Sequence, residues 1–164
     1  MITVEIRPSE QAKIPLYEND LQNVIARSGE IGMEAALSEW ATSIIERRLD
    51  WYGRHKNDLI LEGTEVRRGF QLVILEYMGI KPEEVPIIEE TSTKITWYAY
   101  DFCPYLEAIQ RVGLDTRTVC KYATEEPCQA LLDAYNPKLK YSRNYQNIRP
   151  HTSYCEETIE YINV

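Results

Sequence analysis

A short segment bounded by Pro82 and Pro86 divides this chain into two parts with different hydrophobic patterns. Proline lacks a backbone N–H and fixes its own φ angle, so neither a helix nor a central strand continues through such a segment. Apolar residues recur at helical spacing before it, and β-forming residues dominate after it. We therefore predict an α+β fold in which long N-terminal helices pack on a small antiparallel sheet, formed mainly by the C-terminal half.

The two parts are predicted to form one domain over residues 1–164, because neither contains enough apolar sequence for a core of its own. The helical half covers about 1–80 and the strand-rich half about 87–164. A first helix is predicted over residues 29–55, with Leu37, Trp40 and Ile44 on its apolar side and a charged cluster toward the other side. That cluster is Glu46, Arg47 and Arg48.

A second helix is predicted over residues 59–78, ending at Gly79. Residues 1–6 alternate between apolar and polar types, which fits either a short edge strand or an extended lead. In the C-terminal half we predict a strand within 87–101, helices over 104–112 and 127–135, and a helical turn over 116–120. Segments 139–148 and 154–162 are predicted to pair as a hairpin.

Composition limits the classes of function. The chain has 164 residues, 44% of them hydrophobic, a formal net charge of -8 and four cysteines, all after residue 100. The N-terminal residues are too polar for a secretory signal and no stretch reaches membrane-spanning length, so we predict a cytoplasmic protein with reduced thiols and no membrane partner. The negative charge argues against a nucleic-acid partner. A homodimer through the first long helix remains an alternative.

The junction at Cys103 is the most informative point of the sequence. Pro104 suits the first position of a helix, which places Cys103 at the N-cap. There the helix dipole favours a thiolate, so we predict a lowered pKa and a candidate nucleophile. Asp101 shares the strand face of Cys103 by alternation and could orient a substrate or act as a base. A buried structural cysteine is the alternative.

Other side chains could join the same site. Cys120 stands beside Lys121, and Cys155 follows the turn that carries His151, a candidate proton carrier. Arg143 and Arg149 are candidates for binding a small carboxylate, because a guanidinium binds that group in two places. Some of the twelve tyrosines could line a pocket. No pair of cysteines forms a C-x-x-C motif, so we predict neither a metal nor another cofactor.

Two stretches of the sequence resemble the L-2-amino-thiazoline-4-carboxylic acid hydrolase family. They are KITWYAYDFCPYLEAIQRVGLDTRTVCKY and NPKLKYSRNYQNIRPHTSYCEETIEYI, within about residues 90–162. On this resemblance Cys103, Cys120 and Cys155 occupy the family's cysteine positions, whereas Cys128 matches none. The family often has a Gly-Asp turn before the last cysteine, where this chain has His151 to Tyr154. The pattern is also similar to small-molecule-binding domains of the 4-vinyl reductase type.

The resemblance implies a hydrolase that opens a small ring containing nitrogen and sulfur, or cleaves a related amidine-like C–N bond. The catalytic candidates are then Cys103, Asp101 and His151. The substrate-binding candidates are Cys120, Cys155, Arg143, Arg149 and Lys121. Either Cys103 attacks the substrate directly, or a carboxylate activates water while the cysteines form the scaffold. The competing hypothesis is a small-molecule-binding or sensory domain without catalysis, in which the cysteines form a structural or metal-binding cluster.

Overall fold

The computed structural model describes residues 2–163 and shows an α+β fold, as the sequence predicts. Its α-helices lie mostly before the sheet in sequence and pack on one of its faces. They are α1 (Pro8–Gln11), α2 (Lys13–Ile31), α3 (Met33–His55), α4 (Glu65–Phe70), α5 (Pro104–Arg111), α6 (Thr116–Cys120) and α7 (Glu126–Tyr135). A π-helical segment, Gln71–Tyr77, extends α4, and another, Lys121–Glu125, joins α6 to α7.

The sheet is antiparallel and has the strand order β1-β2-β4-β3. Its strands are β1 (Ile87–Glu90), β2 (Lys94–Ala99), β3 (Leu139–Asn144) and β4 (Cys155–Tyr161). The predicted hairpin is confirmed, because β3 pairs with β4 in antiparallel register. The single strand predicted within 87–101 is instead two strands, since the chain reverses direction between Glu90 and Lys94.

The structure corrects the prediction for the N-terminal half at one main point. Residues 13–31 form a long helix that the sequence analysis did not predict, and α3 begins only at Met33. Gly32 separates the two helices with a φ of 88°, a conformation that glycine adopts without steric cost. Residues 2–6 form no strand, which leaves the extended lead of the two alternatives.

Three rows of side chains cross the face of the sheet that meets the helices. The first row is Ala99 and Cys155; the second is Trp97, Glu157 and Arg143; the third is Ile95, Ile159 and Tyr141. The third row is almost wholly buried among α4 and α7. The first and second rows mix sulfur, charge and apolar surface, so this end of the sheet differs from a hydrophobic core.

Candidate active site

A cavity of about 250 Å³ lies over the polar end of the sheet. Its wall includes Ala99, Arg143 and Glu157 from the strands, the 101–105 segment that links β2 to α5, and Arg48 from α3. Tyr17 and Tyr77 add aromatic surface, and Tyr17 stacks on Tyr105 with ring centres 4.0 Å apart. The volume lies below the range of pockets for drug-sized ligands, so it suits a small metabolite.

The cavity wall has an excess of basic groups, although the whole chain is acidic. It contains five arginine or lysine side chains and three carboxylic acids. The basic side chains are Arg7, Lys13, Arg48, Arg143 and Arg149; the acidic ones are Glu10, Asp101 and Glu157. Net charge, used above to argue against a nucleic-acid partner, therefore does not describe the field inside the cavity.

Asp101 and Cys103 both line this cavity, and α5 begins directly after them. Cys103 has the predicted N-cap position, with an extended φ of -117° and Pro104 at the start of the helix. Arg149 connects this segment to the sheet, because its Nη1 donates to the Asp101 carbonyl at 2.6 Å and its Nε donates to Cys155 Sγ at 3.4 Å. Its Nη2 lies 3.9 Å from the Asp101 carboxylate.

The predicted lowering of the Cys103 pKa is wrong. Burial raises the pKa of this thiol to about 11; Arg149 opposes the shift, and Asp101 adds to it. Loss of hydration around the sulfur thus outweighs the helix dipole. Burial likewise raises the pKa of Cys120 to about 12 and raises the pKa of Cys128. These thiols are protonated at neutral pH.

Asp101 has a pKa that suits a proton carrier. Burial raises its pKa to about 7, with Arg149 lowering it and Glu157 raising it further. A carboxyl group with a pKa near neutrality exchanges its proton readily under physiological conditions. Asp101 is therefore a better candidate for acid–base chemistry than Cys103.

The structure brings together some of the predicted site residues and separates others. Asp101, Cys103, Arg143 and Arg149 line the cavity. Cys120 and Cys155 are buried and are not part of the cavity wall, although Cys155 Sγ accepts a hydrogen bond from Arg149, which lines the cavity. His151 is exposed and contacts Asp115, with His151 Nε2 and Asp115 Oδ1 3.3 Å apart. Lys121 is also exposed and lies over the Tyr122 ring, at 5.8 Å from its centre.

Two buried charged residues of the cavity were missed by the sequence analysis, as were the partly exposed Arg7, Glu10 and Lys13. Arg48 was placed toward the charged side of its helix but is only 3% exposed, because it lies one turn after Ile44 on the apolar face of α3. Glu157 is 4% exposed; it faces Arg143 across the strand pair and accepts a short hydrogen bond from Tyr141. Spacing from Ile44 was the available signal for Arg48, and alternation with Cys155 and Ile159 was the signal for Glu157.

Comparison with known proteins gives no neighbour from which a function could be transferred. No protein-family model, curated protein or solved structure matches this chain. In residues 2–163, none of the helices combines the length and the apolar character needed to cross a bilayer.

Proposed function

We propose that this chain is a hydrolase that binds a small anionic metabolite in the cavity and opens a C–N bond of its ring. A 2-aminothiazoline carboxylate has this chemistry, and the motif resemblance around Cys103 and Cys155 supports it as the first substrate to test. The observation that carries the proposal is the position of Asp101. Its carboxyl group, with a pKa of about 7, lies in the wall of a cavity rich in basic groups.

The ionised form of Asp101 takes a proton from a water molecule whose oxygen attacks the electrophilic sp² carbon of the ring. The C–N bond then breaks, and the proton held by Asp101 passes to the leaving nitrogen. The product is the substrate plus one water molecule, with the catalyst unchanged. Arg149 keeps the Asp101 segment in place through the hydrogen bond to its carbonyl.

The raised pKa of Cys103 favours water, not the thiol, as the nucleophile. A thiol with a pKa of about 11 is almost wholly protonated at pH 7. In this mechanism Cys103 forms part of the wall beside Asp101. If Cys103 instead attacks the substrate directly, the Cys103→Ala substitution described below would abolish turnover.

The test is incubation of the purified chain with 2-aminothiazoline-4-carboxylate, with the ring-opened product measured by mass spectrometry. We expect kcat/KM to rise as pH increases through about 7, because Asp101 acts in its ionised form. Asp101→Asn should reduce turnover at least about 100-fold. Cys103→Ala should keep turnover within about tenfold of the wild type, and His151→Ala is the matched exposed control. Absence of product from the wild-type chain at pH 8 would refute this activity.

A second candidate function is ligand binding without catalysis, and the protonated state of the buried thiols favours it. In this case the same compound stabilises the wild-type chain against thermal unfolding but is recovered without the added water. Asp101→Asn would then leave binding intact. Measurement of binding and of product in one sample separates the two functions.

A further inference from the structure

Arg48 differs from the other arginines of the cavity because its main electrostatic partners include no carboxylate. Arg7 and Arg149 each lie within 4.0 Å of a carboxylate oxygen. Arg143 forms no such ion pair within residues 2–163, and its Nε donates no hydrogen bond there, but Glu157 lies opposite it across the β3 and β4 pair. Within the part of the chain that the structure describes, no carboxylate oxygen lies within 4.0 Å of the Arg48 guanidinium, whose single hydrogen bond runs from Nη1 to Cys128 Sγ at 3.3 Å. Its Nε is buried and donates no hydrogen bond to residues 2–163.

This arrangement is costly in an empty protein. A guanidinium keeps its charge at any physiological pH, and Arg48 is 3% exposed. A protonated thiol is a weak acceptor, and the Tyr77 ring, centred 4.9 Å from Arg48 Cζ, compensates only part of a buried charge. Removing a full charge from water without an ionic partner is strongly unfavourable. An anion in the cavity would remove this cost.

We propose that Arg48 binds the anionic group of the ligand, and that this group is a carboxylate next to an aromatic or other planar apolar ring. Arg48 belongs to the cavity wall, so the counter-ion is supplied by whatever occupies the cavity. A carboxylate matches the planar donor pattern of the guanidinium. The Tyr77 ring, centred 4.9 Å from Arg48 Cζ, and Tyr105, which lines the same cavity, provide flat surfaces for a ring.

The assignment also fixes the orientation of the ligand. Arg48 contacts Cys128 and Tyr77, whereas Arg149 contacts Asp101 and Cys155. The acid group and the bond near Asp101 therefore lie against different parts of the wall. The inference rests on the proposed function only in taking the cavity as the ligand site, and it does not require hydrolysis.

The probe is benzoate, compared with benzamide, which has the same shape but no charge. Affinity for each is measured by calorimetry at pH 7 on the wild-type chain, on Arg48→Met, on Arg48→Lys and on Arg47→Met. Arg47 is the matched control, because it is the exposed neighbour of Arg48 on the same helix. The wild type should bind benzoate at least about tenfold more tightly than benzamide.

Arg48→Met should remove that preference, Arg48→Lys should keep part of it, and Arg47→Met should leave it unchanged. Equal affinity of the wild type for both probes would overturn the proposal, and so would an unchanged preference in Arg48→Met. Should Arg48→Met not fold, Arg48→Lys carries the test: a preference for benzoate that is weaker than in the wild type supports the proposal, and a preference equal to that of the wild type overturns it. A preference for benzoate that depends on Arg48, without any ring opening, would refute the hydrolase proposal and support the role of Arg48. Ring opening by a chain in which Arg48 has no effect on the preference would support the hydrolase proposal and refute the role of Arg48.

Discussion

At the end of the sheet that carries Ile95 and Ile159, the space between strands and helices is filled by apolar side chains in close contact. Gly69 of α4 lies there so tightly that an added Cβ would be 3.0 Å from Leu139 Cδ1. At the other end, two to four residues further along the same strands, the helix-facing surface carries Ala99, Glu157 and Arg143, which line a cavity. One pleated surface therefore contains a region optimised for packing and a region that holds charges out of water.

Stability and ligand binding are located at opposite ends of this sheet. Apolar burial at the first end contributes about 25 cal/mol for each Å² removed from water. Buried charges at the second end lower the stability of the empty protein and strengthen its interaction with a complementary ligand. Substitutions at the two ends should therefore have opposite consequences.

The largest expected effect is at the packed end. Ile159 is fully buried, so Ile159→Ala removes apolar contacts and leaves a void in a tight region. We expect the free energy of unfolding to fall by about 2–5 kcal/mol, measured by chemical denaturation. Ile88→Ala, at a position that is 48% exposed, is the control and should change it by less than about 0.5 kcal/mol. Similar losses for both variants would show that the end is not packed as described.

A pH effect is expected at the cavity end. The folded protein keeps a proton on Asp101 that the unfolded chain releases between pH 3.8 and about 7, so the unfolding free energy falls as pH rises through this window. The interval corresponds to about 4 kcal/mol at most. In Asp101→Asn the unfolding free energy should not fall through this window. Above about pH 7 the difference in unfolding free energy between the wild type and Asp101→Asn should no longer change with pH. Parallel stability curves for the two proteins would contradict the buried carboxyl.

A smaller effect should come from Gly69→Ala. The added methyl group would be 3.0 Å from Leu139 and 3.2 Å from Leu132, so we expect a loss of about 1–3 kcal/mol in spite of the better helix propensity of alanine. Gly29→Ala is the matched control, since Gly29 is exposed in α2 and has nothing within 4 Å of its added Cβ. It should stabilise by up to about 1 kcal/mol. Stabilisation by both variants would mean that α4 can move away from the sheet.

The comparison also explains which parts of the fold were predictable. The packed end follows from local patterns, because alternation in β2 and in the last hairpin identifies the residues that face the helices. The long helix α2 was missed because its apolar positions are sparse: only Ile14, Leu21 and Val24 are buried. Its position depends on packing against α3 and α5, which a local pattern does not encode.

The cavity end was only partly predictable for a related reason. The Cys103 and Pro104 junction gave the N-cap and, with it, the neighbourhood of Asp101. The pKa of Cys103 is raised where the sequence predicted that it is lowered, because it depends on burial by elements that are distant in sequence. Arg48 was assigned to the charged side of its helix because it stands next to Glu46 and Arg47 in the sequence, and arginine is seldom fully buried. The general rule that charged side chains are exposed therefore fails at Arg48, and the proposed binding of an anionic ligand explains why.

The most direct test is the nuclear magnetic resonance signal of the Arg48 Nε–H group in an isotope-labelled chain, assigned by its loss in Arg48→Lys. This proton has no acceptor within residues 2–163, so binding of an anion beside the guanidinium should shift its resonance. We predict a saturable shift on addition of benzoate, none with benzamide, and no change at Arg47. If benzoate shifts only the signals of exposed arginines and leaves the Arg48 signal unmoved, Arg48 does not bind the anionic group.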